Sequence, residues 1–162
     1  MKKIILVRHG KSAWNNSNLS DHDRPLAVRG LNDVPKIGSR LREKEIFPDL
    51  ILSSTATRAS QTAEILAKVL AVPKSNVVYD TNLYHASYSV LLKCIQKQDD
   101  SHELIFLVGH NPGMNDFIAY FGGNLDNLPT SGQYGLLLHT DHWKNLRPEN
   151  STFWFVDYPK KG

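Results

Sequence analysis

Apolar residues along the chain follow two patterns, continuous runs and runs at helical spacing. Continuous runs at residues 4–7, 50–52 and 104–108 predict strands buried on both faces, and residues 77–79, 134–138 and 152–156 resemble three further strands, the first of them weaker. Helical spacing predicts four helices between the strands, on residues 31–41, 59–70, 90–95 and 114–121. The alternation indicates an α/β fold, a three-layer sandwich in which helices flank a mostly parallel central sheet.

The ends of two helices can be predicted from single residues. Asn32 is expected to cap the first helix, which leaves Pro35 in the first turn, where proline is tolerated. The fourth helix is expected to open at Asn111-Pro112 and to close at Gly122-Gly123.

Length and composition are those of one ordinary globular domain. The 162 residues are 41% hydrophobic and 22% charged, which excludes a disordered tail, a collagen-like chain and a coiled coil. Cys94 is the one cysteine, so an internal disulfide cannot form and an oxidising compartment is not indicated. The apolar run that ends before Arg8 is too short for a secretory core or a membrane span. We therefore expect a soluble cytoplasmic protein that does not contact membranes.

The charge balance argues against nucleic acid as a partner. There are 19 basic and 16 acidic residues, a formal net charge of +3, and four of the lysines lie at the two chain ends. No run of Lys and Arg reaches the length of a nucleic-acid patch. A few basic residues converging on a small anion remain compatible with this balance.

Basic and nucleophilic side chains follow three of the predicted strands. Arg8 and His9 end the first strand, Arg58 follows the second, and His110 follows the strand at residues 104–108. Ligands of such sheets bind beyond the carboxyl ends of the strands, so these side chains are expected to meet at one edge. Two arginines offer planar sets of donors for phosphate oxygens. Neutral imidazole can attack phosphorus, and a second histidine, as imidazolium, can stabilise the transferring phosphoryl group.

Three motifs in this order resemble those of the histidine phosphatase superfamily, also called the phosphoglycerate-mutase-like fold. Residues 8–15, Arg-His-Gly-Lys-Ser-Ala-Trp-Asn, resemble its RHGxSxxN signature. Residues 53–63 resemble its second motif, and residues 108–113, Val-Gly-His-Asn-Pro-Gly, resemble its third. Asp-Arg-Pro-Leu at 23–26, followed by Arg-Gly at 29–30, resembles the branch of small SixA-like phosphohistidine phosphatases. The resemblance implies a single histidine-phosphatase-like domain over residues 1–162.

The resemblance also implies roles for individual residues. His9 would be the nucleophile that becomes phosphorylated, and Arg8, Arg58 and His110 would form the phosphate pocket with it. Asn15 matches a position where many members place an asparagine that contacts phosphate.

Two further residues of the first motif are candidates for contact with the substrate. Ser12 offers a hydroxyl, and Gly10 permits close backbone approach. Ser12 and Asn15 equally fit a reading in which they only shape the loop.

Three residues are candidates for the proton donor. Larger relatives place an acidic residue after the second motif, whereas the corresponding stretch here, residues 83–87, has no carboxylate. His85 in that stretch, and Asp21 and Asp23 in an earlier loop, are the candidates, and each also fits a purely structural loop position. The lack of a strong acid favours phosphohistidine or aryl phosphates, because imidazole leaves as a far weaker base than an alkoxide.

The stretch between Arg58 and His110 is short. It must hold a helix, a strand, a second helix and another strand, which leaves no room for the helical cap that larger relatives insert there. An uncapped site is open enough to admit a phosphorylated protein side chain, although it offers little surface for discriminating among small phosphates.

These features predict a metal-independent phosphatase, without cofactors, that acts through phosphorylated His9. A phosphohistidine carrier protein is the favoured substrate. A small-molecule phosphomonoesterase, a phosphomutase of the same superfamily and a non-catalytic phosphate-binding module are the alternatives.

Other segments carry weaker signals. His139 and His142 lie at a spacing that suggests metal ligands, but no second compact pair of ligands accompanies them. Arg24 and Arg29 either steer a phosphorylated partner or are solvated or helix-capping side chains. Aromatic residues concentrate near the chain end and fit either packing or a partner surface: Trp143, Phe153, Trp154, Phe155 and Tyr158.

Overall fold

The computed structural model describes residues 1–161. Six strands are formed: β1 (Lys2–Arg8), β2 (Leu50–Ser54), β3 (Val77–Asp80), β4 (Leu104–Gly109), β5 (Gln133–Leu138) and β6 (Ser151–Asp157). Four α-helices accompany them: α1 (Val28–Glu43), α2 (Thr57–Val69), α3 (Tyr88–Gln96) and α4 (Gly113–Tyr120). Each predicted strand and helix is therefore present.

The strands form one sheet in the order β3-β2-β4-β1-β5-β6. The pairs β2–β3, β2–β4 and β1–β4 are parallel, and β5 is antiparallel to both β1 and β6. Since only β5 runs against the other strands, the prediction of a mostly parallel sheet is confirmed. The carboxyl ends of β1, β2 and β4 consequently lie side by side at one edge.

Two hydrophobic layers cover the two faces of the sheet. Alternate residues of β1 point to opposite faces, so that Ile4 and Leu6 join a core with α3 and α4, whereas Ile5 and Val7 join a core with α1 and α2. All four side chains are almost completely buried. The central strand is thereby fixed on both sides, which holds the residues at its carboxyl end in place.

The prediction of an uncapped site is confirmed. The described residues 58–110 hold α2, β3, α3 and β4 with two short 3₁₀ turns between them, and no further helix is inserted. The edge of the sheet where the candidate residues were expected is not covered by an added layer.

The predicted start of α1 is wrong. The helix begins at Val28 with Ala27 as its N-cap, so Asn32 lies in the helix and Pro35 is well beyond the first turn. A tertiary contact sets this start, because the Ala27 amide donates to the Lys11 carbonyl over 2.8 Å. The predicted start of α4 is confirmed, since Pro112 is its N-cap. Its end also agrees, since Phe121 is the C-cap and Gly122, the first of the two predicted glycines, follows with a φ of 83°.

The aromatic and histidine residues near the chain end mostly have local partners. Trp143 is fully buried and Trp154 is half-buried, whereas Phe153 is 55% exposed. His142 contacts Asp100, and His139 contacts the Thr152 hydroxyl, so the two histidines do not converge. None of the helices in residues 1–161 has both the length and the apolar character needed to cross a membrane.

Candidate active site

The four residues predicted to meet at the sheet edge do meet there. Arg8, His9, Arg58 and His110 line a single pocket of about 200 Å³. The ring centroids of His9 and His110 are 5.1 Å apart. A groove of about 610 Å³ between α2 and β3 is larger but contains none of the predicted site residues. The chemistry of the lining, rather than the volume, makes the smaller pocket the candidate active site.

The tautomer of His9 follows from its hydrogen bond. Its Nδ1 lies 2.7 Å from the carbonyl oxygen of Gly10. A carbonyl oxygen only accepts, so Nδ1 carries the proton and donates it. The lone pair of the neutral ring is then on Nε2, the nitrogen that is free to act as a nucleophile.

Gly10 was expected to lie close to the substrate, and the structure does not place it there. It is buried and does not line the pocket. A Cβ added at Gly10 would lie 2.9 Å from Val34 and 3.0 Å from Leu26, so the missing side chain makes room for the packing of α1. Its role at the site is to accept the His9 hydrogen bond.

The two buried histidines of the pocket, His9 and His110, are neutral near pH 7. Burial, reinforced by the charge of Arg58, lowers the pKa of His9 to about 4. Burial, and then the neighbouring His9, lowers the pKa of His110 to about 3. The expectation of an imidazolium at His110 is therefore not met in the free protein. A phosphate dianion bound beside His110 would favour its protonated form.

Three buried nitrogens of the pocket residues have no hydrogen-bond partner within the described part of the chain. They are Nε of Arg8, Nε of Arg58 and Nδ1 of His110. The other nitrogen of His110, Nε2, is satisfied by the Ser54 hydroxyl at 2.8 Å. A buried polar atom without a partner is costly unless a ligand completes it. All three belong to side chains that line the pocket.

Asp21 is held as an anion and is a poor proton donor. Its Oδ2 accepts a hydrogen bond from the Tyr84 hydroxyl at 2.5 Å and from Arg58 at 3.1 Å, and its Oδ1 accepts from Arg24 at 2.9 Å. The hydrogen bond from Tyr84, followed by those from the two arginines, holds the pKa of the Asp21 carboxyl well below its usual range. The carboxylate instead orients the guanidinium groups of Arg24 and Arg58.

Of the three proton-donor candidates, only His85 lines the pocket. Its backbone has a φ of 53°, in the left-handed region that a histidine rarely adopts. The loop is seated on α4, because a Cβ at Gly113 would lie only 2.0 Å from the Ala86 carbonyl oxygen. His85 Nε2 lies 3.1 Å from Asp21 Oδ2. Asp23 points elsewhere, with its exposed carboxylate beside His22.

The remaining residues of the first motif divide between the pocket and the solvent. Ser12 is buried in the lining and accepts a hydrogen bond from Arg24 Nη1 at 2.8 Å. Asn15 is exposed and does not reach the lining. Arg24 and Arg29 were offered either as residues that steer a phosphorylated partner or as solvated or helix-capping side chains. Arg24 is buried in the pocket wall. Arg29 is exposed and pairs with Asp33.

Trp14 and Thr130 also line the pocket, and the sequence did not single them out. Trp14 stands inside the first motif, and that position was the signal that could have identified it. Thr130 lies shortly before β5. It reaches the site because β5 pairs with β1 in the antiparallel direction, and no local sequence pattern predicts that pairing.

The two buried histidines make stability depend on pH. Their folded-state pKa values, about 4 and about 3, are below the value of about 6.5 expected in the unfolded chain. The unfolded chain therefore binds more protons as the pH falls below about 6.5, and the free energy of unfolding decreases until the folded-state values are reached. His9 alone accounts for a loss of roughly 3 kcal/mol across this range. Urea unfolding at pH 7.5, 5.5 and 4 measures it.

A matched pair of variants isolates this effect. His110→Gln should flatten the pH dependence, whereas the exposed His139→Gln should leave the wild-type slope unchanged. Equal slopes in all three proteins would contradict the assignment of the pH dependence to the pocket.

Comparisons with known proteins point to one family. The model of the histidine phosphatase superfamily (branch 1) matches residues 4–91. An uncharacterized protein of Mycobacterium tuberculosis is 31% identical over 153 residues, covering 88% of this chain and 92% of that protein. Phosphoglycerate mutase 1 of Saccharomyces cerevisiae is 42% identical over 67 residues, 40% of this chain and 27% of the enzyme.

Solved structures include some that are similar over nearly the whole chain. One of them is the candidate phosphohistidine phosphatase SixA from Agrobacterium tumefaciens, with a TM-score of 0.82 and 28% identity. The match covers 98% of this chain and 99% of that one. Motifs, fold and pocket point the same way, and the chain belongs to the histidine phosphatase superfamily.

Proposed function

We propose that the protein is a metal-independent phosphatase that removes phosphate from phosphohistidine on a protein partner, through a phosphorylated His9. The observation that carries the proposal is the hydrogen bond from His9 Nδ1 to the Gly10 carbonyl. It leaves Nε2 unprotonated in a pocket that Arg8 and Arg58 make strongly positive. Those two guanidinium groups supply the charge compensation that a phosphoryl group needs.

In the first step, His9 Nε2 attacks phosphorus in line with the leaving group. A bond forms between Nε2 and phosphorus while the bond from phosphorus to the substrate nitrogen breaks. Arg8, Arg58 and His110 contact the phosphoryl oxygens, and protonated His85 gives its proton to the departing imidazole. The Gly10 carbonyl keeps its hydrogen bond to Nδ1 and stabilises the positive ring of phosphorylated His9.

In the second step, water attacks the same phosphorus from the side that the substrate has left. The bond to Nε2 breaks, His9 returns to its neutral form, and the proton of the water passes to His85. Phosphate leaves, and His85 is again protonated for the next turnover. An open site favours this step because water reaches the intermediate directly.

The preference for phosphohistidine rests on two features of the site. First, no carboxylic acid within residues 1–161 lines the pocket, Asp21 beside it is held ionised, and Asp23 lies away from it. Second, residues 58–110 insert no cap over the opening, so a side chain on a folded partner can enter. The similarity to SixA supports the same substrate class.

The test is phosphate release in the presence of EDTA from three substrates. They are a carrier domain phosphorylated on histidine, an aryl phosphate and a phosphorylated sugar acid. We expect the carrier to have the highest kcat/KM, followed by the aryl phosphate, because the stability of the leaving group sets the rate. EDTA should leave all the rates unchanged.

Other outcomes of the same assay identify the alternatives. Turnover of the small phosphates alone would replace the proposal with a phosphomonoesterase. Phosphate moved between positions of the sugar acid, with little release, would indicate a phosphomutase. Stoichiometric binding of the phosphorylated carrier without turnover would indicate a binding module.

A further inference from the structure

Trp14 is an exposed aromatic residue on the wall of the active-site pocket. It lines the pocket together with His9 and Arg58, yet it is 71% exposed. An indole ring is large and mostly apolar, and one that lines a pocket while it stays exposed offers a flat surface to a bound molecule. No step of the mechanism above uses this residue.

The indole is held in a defined orientation. The guanidinium carbon of Arg24 lies 3.4 Å from the centroid of the Trp14 ring, which is a close cation–π contact. Arg24 is itself only 7% exposed and is fixed by hydrogen bonds to Ser12 and Asp21. The neighbouring backbone is anchored as well, because the Ala13 amide donates to the Pro25 carbonyl at 2.8 Å.

Arg24 covers one face of the indole, so the exposed surface is mainly the other face and the ring edges. A phosphoryl group beside His9 Nε2 must carry its leaving group outward, past the lining of a pocket of only about 200 Å³. Trp14 belongs to that lining and keeps most of its surface exposed, so it is one of the side chains that a departing group can contact. A flat ring stacks on an indole with little loss of conformational freedom, whereas a flexible aliphatic group gains less from the contact.

We propose that Trp14 is a stacking platform for a planar leaving group, and so a specificity-determining residue that favours phosphate carried on a ring over phosphate carried on an aliphatic group. This deepens the proposed function, on which it rests, because the imidazole of phosphohistidine is such a ring. Trp14 could instead serve only to cover Arg24, and the two roles make different predictions. If Trp14 only covers Arg24, its removal should weaken the binding of every phosphate equally. If Trp14 is a stacking platform, its removal should weaken the binding of ring-bearing ligands alone.

The experiment compares two phosphonates, one that carries an aromatic ring and one that carries a methyl group. Phenylphosphonate and methylphosphonate are titrated into ¹⁵N-labelled protein, and the backbone amides of His9 and His110 report the dissociation constants. We expect the wild type to bind phenylphosphonate about tenfold more tightly, as stacking of a single ring on an aromatic side chain typically gives. The indole N–H of Trp14 should shift with phenylphosphonate and much less with methylphosphonate.

Variants of Trp14 then distinguish a stacking platform from a side chain that only covers Arg24. Trp14→Leu should remove the preference for phenylphosphonate and leave the affinity for methylphosphonate unchanged, while Trp14→Phe should keep most of the preference. The exposed aromatic Phe153 lies outside the pocket, and Phe153→Ala serves as the matched control. Equal weakening of both ligands in Trp14→Leu, an unchanged preference, or no binding of either ligand to the wild type would each overturn the proposal.

The same proteins separate this inference from the proposed function. In Trp14→Leu, KM for the phosphohistidine carrier should rise about tenfold while kcat changes little, because stacking is already present in the ground state. A wild type that binds the ring ligand preferentially but does not hydrolyse the carrier would contradict the proposed function and leave the platform supported.

Discussion

Replacing His9 with alanine is expected to lower kcat/KM for an aryl phosphate by at least about a thousandfold, because the nucleophile is lost and no other group takes its place. Arg8, Arg58 and His110 would remain and would still bind phosphate, so affinity for inorganic phosphate should change far less than turnover. The measurement is initial rate against substrate concentration, with phosphate affinity determined by calorimetry on the same samples.

Two further results would support the assignment of the nucleophile. Wild-type protein stopped in alkali during turnover should carry one base-stable, acid-labile phosphoryl group, and His9→Ala should carry none. Added imidazole should restore part of the activity of the variant by occupying the space of the deleted ring. His139→Ala, on the exposed end of β5, should match the wild type throughout. Full activity in His9→Ala would remove the basis of the mechanism.

The sequence predicts the strands and the four pocket residues well, for a local reason. Residues 4–7 and 104–108 are short continuous apolar runs, which are typical of a strand covered on both faces, and the two strands pair in parallel as expected. Because Arg8, His9 and His110 follow such strands directly, the register of the sheet alone brings them together. Arg58 is the second residue of α2 and needs only the short connection after β2 to reach the same edge.

The loops are predicted less well, because contacts between distant segments decide their paths. Asn32 has the chemistry of a helix cap, but the pairing of Ala27 with Lys11 starts α1 earlier. Asp21 was a candidate acid on residue type, and only its position among Tyr84 and two arginines shows that it stays ionised. The exposed position of Trp14 likewise depends on a contact with Arg24 that no local pattern encodes.

Arg58→Gln is expected to reduce kcat/KM by a hundredfold to a thousandfold, roughly the cost of removing one oriented donor from a developing charge. Arg58 is almost fully buried and lines the pocket beside His9, where a phosphoryl group would be held. Its terminal nitrogens donate to the Asp21 carbonyl at 2.7 Å and to the Asp21 carboxylate at 3.1 Å, which fixes the guanidinium. Arg58→Lys should recover little, because an ammonium group lacks this planar set of donors.

The pH profile separates this electrostatic role from a structural one. The charge of Arg58 is one of the causes, after burial, that lower the pKa of His9 to about 4. His9 must be neutral to attack, so the wild-type kcat/KM should fall only as the pH drops towards that value. Removing the charge raises the pKa of His9, and the acid limb in Arg58→Gln should move to higher pH. The exposed Arg42→Gln on α1 is the matched control and should keep the wild-type rate and profile. An unshifted acid limb in Arg58→Gln would show that the loss of rate comes from disordered structure rather than from the missing charge.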